Sequence, residues 1–351
     1  MAFIGVSSAL QFGGDCMESV TELPKWLDDY IFNDLEASYI PRCNAAEYNL
    51  EADDLKVKEY LGTYFPRSYG EIFCIAENLF QNECYLSSLN NAVQLNQEIN
   101  ILDIGCGTGG EIVGLLEILD KYLPQTARIN VYTFDGNDIS IKYMNLVVKA
   151  FVGRSNRSLA IYQTCHRVNS EADLLYVSVC VSQVQFDYIL CCKVCGELKL
   201  KNVIDKPYFS VAEKFSATLR ANGIMLILDL TDKPDGCNQY LPREMNSELN
   251  SFVSSHDEFG TLVPKPCGEP PHCKANCYMQ KQFTIYHSRY PYGNETMVCY
   301  RIICRNLLRN QMISDSVLAK KQVIRAEGKH GMLTCCRSNG DEKVDAFDIN
   351  S

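Results

Sequence analysis

Long apolar stretches are absent from this sequence. No run approaches the roughly 20 apolar residues that a membrane-spanning helix needs, so we expect no membrane span. The first residues lack both the basic start of a secretory signal and the Arg-rich pattern of a transit peptide, which predicts a cytoplasmic protein. Charged residues make up 22% and hydrophobic residues 46% of the 351 positions, as in folded globular proteins and unlike disordered ones.

Positive charge is also scarce. The formal net charge is −10, and because phosphate binding depends on Lys and Arg, this value argues against a nucleic-acid partner. The segment 301–337 is the exception, since it has only Asp315 and Glu327 against eight basic residues. It is compatible with RNA contact, although a solvated charged face explains it equally well. The basic residues are Arg301, Arg305, Arg309, Lys320, Lys321, Arg325, Lys329 and Arg337.

Internal repeats and low-complexity tracts are absent as well. The first part of the chain, residues 1–95, is predicted to be an N-terminal helical region. A helix start is indicated by Thr21–Pro24, and apolar residues follow at helical spacing from Trp26 to Leu35. A second helical stretch is predicted over about 69–89.

From about residue 96 the pattern changes to short apolar runs that alternate with helical segments. Buried strands alternating with helices predict an α/β fold with a parallel sheet covered on both faces. Two later runs, 282–287 and 297–304, predict an antiparallel pair at the end of this sheet. The earlier runs are 101–104, 129–134, 186–191 and 223–228, and the helical segments include 111–123, 139–151 and 211–219.

Pro, Cys and Gly concentrate between the last parallel strand and the antiparallel pair. We expect an insertion at about 231–280 with little regular structure, which usually needs a staple. The predicted organisation is therefore a main domain over 96–310 that contains this Cys-rich insertion, followed by a basic C-terminal tail over 311–351.

The sharpest motif is a glycine-rich turn between a predicted strand and a predicted helix. In Ile101–Glu111, the residues Gly105, Gly107 and Gly109 allow close backbone approach to a ligand at the carboxyl end of a strand. The same letters satisfy the dinucleotide pattern G-x-G-x-x-G. Asp103, two residues before the first glycine, and the helical region that precedes the turn favour S-adenosylmethionine (SAM) over NAD.

An acidic residue follows the second predicted strand. A carboxylate at this place can accept hydrogen bonds from both ribose hydroxyls of either cofactor. Asp135 is the first choice because it directly follows the apolar run, and Asp138 is the second. No residue is assigned to the adenine.

The chain contains 18 cysteines. A disulfide framework usually belongs to a small secreted chain, and most thiols here lie in apolar runs, where Cys acts as a small hydrophobe. A late group differs, because Cys267, Cys273 and Cys277 lie within eleven residues among prolines and glycines, which suits a soft metal or an iron–sulfur cluster. The pair at 335–336 is the source of a fourth ligand. Zinc, with His272 as a substitute ligand, and a disulfide with a spare thiol are the alternatives.

Several segments together resemble the methyltransferase-like proteins that are associated with the small ribosomal subunit of mitochondria and have bacterial members. The resemblance implies a class I SAM-methyltransferase (Rossmann-like) sheet of seven strands that ends in the antiparallel pair. It also implies that Cys336 is the fourth ligand and that the four thiols hold a 4Fe–4S cluster. The segments are Glu22–Pro24, Tyr64–Tyr69, the glycine turn, Asp187–Leu190, Val194–Leu198, Gly223–Asp229, Lys233–Gly236, Pro266–Cys277, Arg325–Gly331 and Cys336–Gly340.

The function implied by the resemblance is RNA-directed. It is either SAM-dependent methylation of rRNA in the small ribosomal subunit or assembly of that subunit, with a structural cluster. The alternatives are a methyltransferase of a small molecule or protein, which the acidic charge favours, and an iron–sulfur redox or iron-sensing protein. The strand ending at Cys191–Lys193 lacks the Asn/Asp-Pro-Pro-Tyr motif of amino-methylating enzymes, so no catalytic residue is assigned. The isolated histidines at 166, 256, 287 and 330 are interpreted as structural, and no oligomeric state is assigned.

Overall fold

A computed structural model describes most of the chain, and its helices and strands begin at Ser19. None of the helices in the described parts is long and apolar enough to cross a membrane. The described residues are 19–41, 50–155, 157–231, 241–263, 277–314, 322–328, 331–338 and 342–346. The N-terminal elements are β1 (Ser19–Glu22), α1 (Lys25–Asp29, continued by a π-helical turn over Tyr30–Asp34), α2 (Asp54–Thr63), α3 (Phe65–Phe80) and α4 (Glu83–Asn96).

Strands and helices alternate through the middle of the chain. The first of these elements are β2 (Glu98–Ile104), α5 (Gly110–Tyr122), β3 (Arg128–Asp135), α6 (Asp138–Ser155), β4 (Leu159–Cys165), α7 (Glu171–Cys180), β5 (Phe186–Cys192) and α8 (Val194–Leu200). They are followed by α9 (Pro207–Phe215), β6 (Leu219–Leu230), α10 (Leu241–Ser255), β7 (Phe259–Val263), β8 (Cys277–His287), β9 (Tyr290–Arg305) and α11 (Asn306–Ser314). The last strands are β10 (Gln322–Gly328), β11 (Gly331–Ser338) and β12 (Glu342–Ala346).

Seven strands form the central sheet in the order β4-β3-β2-β5-β6-β9-β8. Neighbours from β4 to β6 are parallel, whereas β9 is antiparallel to both β6 and β8. The strand order reverses between β2 and β5, which is where open α/β sheets bind ligands. The predicted Rossmann-like α/β fold is therefore confirmed, with seven strands in the central sheet and the predicted antiparallel pair at its end.

Further strands extend this sheet beyond the prediction. β1 lies parallel to β8, with Ser19 opposite Phe283, so the N-terminal region is not purely helical. β7 pairs with the end of β9, and β12 pairs with the start of β8. The segment 311–351, expected to be a tail, contains the end of α11 and the strands β10 to β12.

Both faces of the sheet are buried, as expected of parallel strands covered by helices. On β5, Tyr188 and Leu190 face the apolar cluster that includes α3 to α6, while Phe186 and Ile189 face the cluster that includes α7 to α10. α3 packs closely on α5 because Gly114 has no side chain; an added Cβ would lie 2.6 Å from the carbonyl oxygen of Tyr69. This contact brings the start of α3 beside the glycine turn.

The insertion at 231–280 is partly regular. The expectation of little regular structure is wrong for residues 241–263, which form α10 and β7. α10 buries Met245, Leu249 and Phe252 in the core, at the spacing of one helix face.

Candidate cofactor site

The glycine turn connects β2 to α5. Gly105, Gly107 and Gly109 have φ angles of +78°, +48° and +88°, a region that favours glycine. The backbone N–H of Gly105 donates to the carbonyl oxygen of Phe134 at 2.7 Å, which ties the turn to the end of β3. The predicted strand, glycine turn and helix are confirmed.

A cleft opens at this turn, at the carboxyl ends of β2, β3 and β5. Its volume is about 1090 Å³, including the part open to solvent. Gly105 and Gly107 line it. Gly109 instead faces Met144 of α6, since an added Cβ would lie 2.6 Å from the Cγ atom of that side chain. The structure therefore brings two of the three predicted glycines to the cleft wall.

Asp135 lies at the end of β3 and lines the cleft. Its Oδ2 accepts a hydrogen bond from the Gly107 N–H and its Oδ1 accepts one from the Asn137 N–H, each at 2.8 Å. Burial raises the pKa of Asp135, against the effect of these backbone donors. The Gly136 N–H also acts on this carboxylate. A carboxylate has about four acceptor positions, so room for a ribose hydroxyl is left beside these backbone donors. Asp138, the second choice from sequence, is exposed in the first turn of α6 and does not line the cleft.

Asp103 lies behind the cleft wall at the end of β2. It is 1% exposed, and neither carboxylate oxygen has a hydrogen-bond partner among the described residues. Burial, followed by the charges on Glu111 and Asp135, raises its pKa well above the usual value. A buried carboxyl group without a donor needs either a proton or a cationic partner.

A buried polar group next to the turn was not predicted from the sequence. The Lys193 ammonium donates to Glu71 Oε2 at 2.6 Å and to Ser68 Oγ at 3.1 Å. Burial alone would lower the pKa of Lys193, but the carboxylates of Glu71 and Glu111 outweigh it and raise the pKa. Lys193 has a φ of +68°, an uncommon conformation for a residue with a Cβ. The backbone at the end of β5 thus holds a charged side chain in the cleft wall.

The charges around the cleft distinguish between the two cofactors. A dinucleotide would bring its anionic pyrophosphate to the glycine turn, against several carboxylates. SAM brings a sulfonium and an ammonium, which such a site attracts. Because Lys193 is paired with Glu71, negative charge is in excess, and the site favours SAM. The acids are Asp103, Glu111, Asp135 and Glu197, and the lysines of the lining are Lys193 and Lys201.

Part of the cleft lining is apolar and belongs to the cluster that includes α7 to α10. This part suits an adenine ring, for which the sequence offered no residue. It was missed because the loop between β4 and α7 contributes to it, and β4 was not predicted. The apolar side chains there are Phe134, Val168, Val177, Leu198 and Val203.

His166 follows β4 directly and lines the cleft. Its Nε2 lies 3.6 Å from Asp173 Oδ1, and its ring centroid lies 4.6 Å from that of Tyr176. The interpretation of His166 as an isolated structural residue therefore overlooked a position in the cleft wall.

Glu197 of α8 is a half-buried acid of the lining. Burial, followed by the charges on Asp229 and Asp135, raises its pKa to about 8. The helix start is held by Asp229 at the end of β6, whose Oδ2 accepts hydrogen bonds from the Gly196 N–H at 2.6 Å and the Tyr208 hydroxyl at 3.0 Å. Glu197 is therefore held at the cleft on an anchored helix.

The predicted metal site falls mostly beyond what the structure describes. Cys267, Cys273 and the substitute ligand His272 lie outside the described residues. Cys277 begins β8 and pairs with Ala346 of β12, while Cys336 of β11 pairs with Val344 of the same strand. No group of three or more His, Cys, Asp or Glu residues that could hold a metal occurs in the described parts of the chain. The four-thiol cluster stays a prediction.

The basic segment is partly committed to internal contacts. Arg301 is 4% exposed, and its guanidinium donates to Asn246 Oδ1 at 2.5 Å and to Asn250 Oδ1 at 2.7 Å. Arg305 and Arg309 each donate from Nε to a backbone carbonyl oxygen at 3.1 Å. These three arginines therefore support the fold, and RNA contact through 301–337 stays a prediction that rests on the other five basic residues.

Comparisons with known proteins give similarity of fold. No family model matches the chain, and no curated protein sequence matches it. The plantazolicin methyltransferase BpumL in complex with S-adenosylhomocysteine (SAH) is 12% identical, with a TM-score of 0.32 over 71% of this chain and 93% of that one. The O-methyltransferase from Bacillus cereus in complex with SAH is 11% identical, with a TM-score of 0.33 over 68% and 90%. The METTL16 methyltransferase domain is 11% identical, with a TM-score of 0.34 over 79% and 77%. The similarity to these three proteins is one of backbone fold only.

Proposed function

We propose that this protein is a SAM-dependent methyltransferase. The observation that carries the proposal is the acidic cleft at the glycine turn, where Asp103 is buried without a hydrogen-bond partner among the described residues. A cationic cofactor satisfies this carboxyl group, whereas a pyrophosphate would oppose it. Asp135, at the end of the neighbouring strand, has acceptor positions left for the ribose.

The residues of the cleft divide the work of binding. Glu111 in the lining and Asp103 behind the cleft wall attract the cationic end of the cofactor, Asp135 holds the ribose, and the apolar side chains of the lining receive the adenine. SAM supplies a methyl group that its sulfonium already activates, so the protein mainly has to align an acceptor with it.

Two side chains of the lining differ in how they can handle an acceptor's proton. Lys193 stays charged beside Glu71 and therefore acts as a positive group, not as a base. Glu197, with a pKa of about 8, exchanges a proton near neutral pH and is placed to accept one from the acceptor.

Two acids, Asp135 at the end of β3 and Asp138 at the start of α6, allow a test of SAM binding with a matched control. Calorimetric titration with SAM is expected to show binding to the wild type and an affinity at least about tenfold lower in Asp135→Asn, which loses charge-assisted hydrogen bonding. Asp138→Asn is the matched control, because Asp138 is exposed outside the lining. A wild type that binds no SAM, or equal losses in both variants, would contradict the proposal.

The acceptor that we propose is rRNA of the small ribosomal subunit, with subunit assembly as the non-enzymatic form of the same role. The resemblance supports it, as do the basic residues of 301–337 other than the three internal arginines. Transfer of a labelled methyl group from SAM to purified subunits, with salt-dependent binding, is the expected result. The acidic cleft and the net charge of −10 favour the alternative of a small-molecule or protein acceptor, and labelling of those fractions alone would establish it.

The four thiols are proposed to hold a structural 4Fe–4S cluster. Anaerobically purified wild type is expected to be brown and to contain about four irons and four sulfides, both lost in Cys273→Ser. One zinc in a colourless protein would replace the cluster by a zinc site at the same residues. Absence of any metal would contradict the proposed cluster and would leave the proposed SAM-binding function unaffected.

A further inference from the structure

Three buried carboxyl groups lie next to the glycine turn, and the Lys193 ammonium interacts with two of them, Glu71 and Glu111. Asp103, Glu71 and Glu111 are 1%, 1% and 7% exposed. Glu71 is paired with Lys193 at 2.6 Å, and Glu111 accepts a hydrogen bond from Ser68. Asp103 has neither a cation nor a hydrogen-bond donor among the described residues. It is therefore the one of the three carboxyl groups whose negative charge would not be compensated.

The other titratable groups around Asp103 do not supply a cation. Glu111 and Asp135 bring negative charge, and the thiols of Cys106 and Cys192 are neutral because burial raises their pKa. The positive group near these residues is the Lys193 ammonium, which is already paired with Glu71. A carboxyl group in this setting keeps its proton, because ionisation would leave a buried charge uncompensated.

We infer that cofactor binding replaces the Asp103 proton by the positive charge of SAM, so that the site selects SAM over its product SAH. This inference rests on the proposed SAM-binding function. On binding, the O–H bond of the Asp103 carboxyl group breaks and the proton passes to the buffer. The carboxylate, which lies behind the cleft wall, is then balanced by the positive charge of the cofactor. SAH lacks the sulfonium charge, so it compensates the carboxylates less well and is held more weakly than SAM.

Proton release gives the primary measurement. Calorimetric titrations of the full chain with SAM, in buffers of different ionisation enthalpy and at several pH values, are expected to show proton release that approaches one proton per SAM below the raised Asp103 pKa. The SAM affinity of the wild type is expected to rise about tenfold per pH unit below the raised Asp103 pKa and to level off above it.

Variants assign the proton to this residue. In Asp103→Asn the proton release is expected to disappear, the pH slope to flatten, and the preference for SAM over SAH to narrow by about tenfold or more. Glu213→Gln, an exposed position on α9, is the control for loss of one carboxylate and is expected to match the wild type. Glu111→Gln, which removes the neighbouring charge, is expected to reduce the pH slope without abolishing it.

Each result decides a separate point. A wild type without SAM or SAH binding overturns the proposed function, whereas binding without proton release overturns this inference alone. If proton release persists in Asp103→Asn, the proton comes from another group and the inference about Asp103 is overturned. Equal affinity of the wild type for SAM and SAH would also overturn this inference. If Asp103→Asn fails to fold, the wild-type proton count, pH slope and SAM-to-SAH ratio still decide.

Discussion

Two buried aspartates at the carboxyl edge of the sheet have opposite surroundings. Asp103 ends β2 and Asp229 lies near the end of β6, and each is 1% exposed. Asp229 accepts hydrogen bonds from the Gly196 N–H, the Tyr208 hydroxyl and the Leu230 N–H. Asp103 has no partner among the described residues. Equal burial therefore has different consequences: the Asp229 carboxyl group holds α8 and Tyr208 in place, whereas the Asp103 carboxyl group lacks a partner and would gain one only with the proposed cofactor.

The difference also appears in the pKa values. Burial raises the pKa of Asp229 to about 6. The rise is limited because the hydrogen-bond donors stabilise the ionised carboxylate. The pKa of Asp103 is raised well above the usual value by burial and then by Glu111 and Asp135. At neutral pH Asp229 is thus mostly ionised, whereas Asp103, which has no donors to offset its burial, is held more strongly toward its neutral form. A substitution at each should therefore affect different properties.

Asp229→Ala is expected to have the largest effect on stability. It leaves the Gly196 N–H and the Tyr208 hydroxyl buried without an acceptor, at a cost of about 1–3 kcal/mol for each group. The free energy of unfolding from urea titration is expected to fall by roughly 3 kcal/mol or more. Tyr208→Phe, which removes one donor and keeps the ring, is expected to cost less. A loss under about 1 kcal/mol in Asp229→Ala would contradict an anchoring role.

Sequence reasoning found the features that are local in the chain. The glycine turn was predictable because the strand, the glycines and the helix follow one another within Ile101–Glu111, and Asp135 because it directly follows an apolar run. The helix α10 was missed although its apolar residues recur at helical spacing, because Pro, Cys and Gly on either side suggested irregular structure. β4 was missed because it is a half-exposed edge strand with no clear alternation.

The buried polar group was beyond prediction for another reason. Lys193 and Glu71 are 122 positions apart, and they meet only because the fold places α3 beside the end of β5. The contacts of the basic segment 301–337 could not be predicted for the same reason. Its charge does not reveal that Arg301 is buried against α10. Spacing predicts sites that lie within one element or one turn, whereas contacts between distant elements require the fold.

The raised pKa of Asp229 can be tested by comparing how the free energy of unfolding of the wild type and of Asp229→Asn depends on pH. The pKa of Asp229 is raised from 3.8 to about 6, so the folded wild type holds this proton more tightly than the unfolded chain does. Its contribution to stability is fully present below about pH 4 and is lost as the pH rises to about 6, roughly 3 kcal/mol in all. Asp229→Asn does not titrate, so the difference between the two unfolding free energies should change over this window and be constant above it. A difference that is flat from pH 4 to 7 would contradict the raised pKa.

Asp103→Asn is expected to have the smallest effect on stability. An amide has nearly the shape of the neutral carboxyl group that it replaces, and no hydrogen bond to a described residue is lost. The free energy of unfolding at pH 7 without cofactor is expected to change by less than about 1 kcal/mol. At the same high SAM concentration the wild type should be stabilised more than the variant, because the stabilisation by a ligand grows with the logarithm of its concentration divided by Kd. A large loss without cofactor would mean that the carboxyl group supports the fold as Asp229 does, and the contrast between the two aspartates would fail.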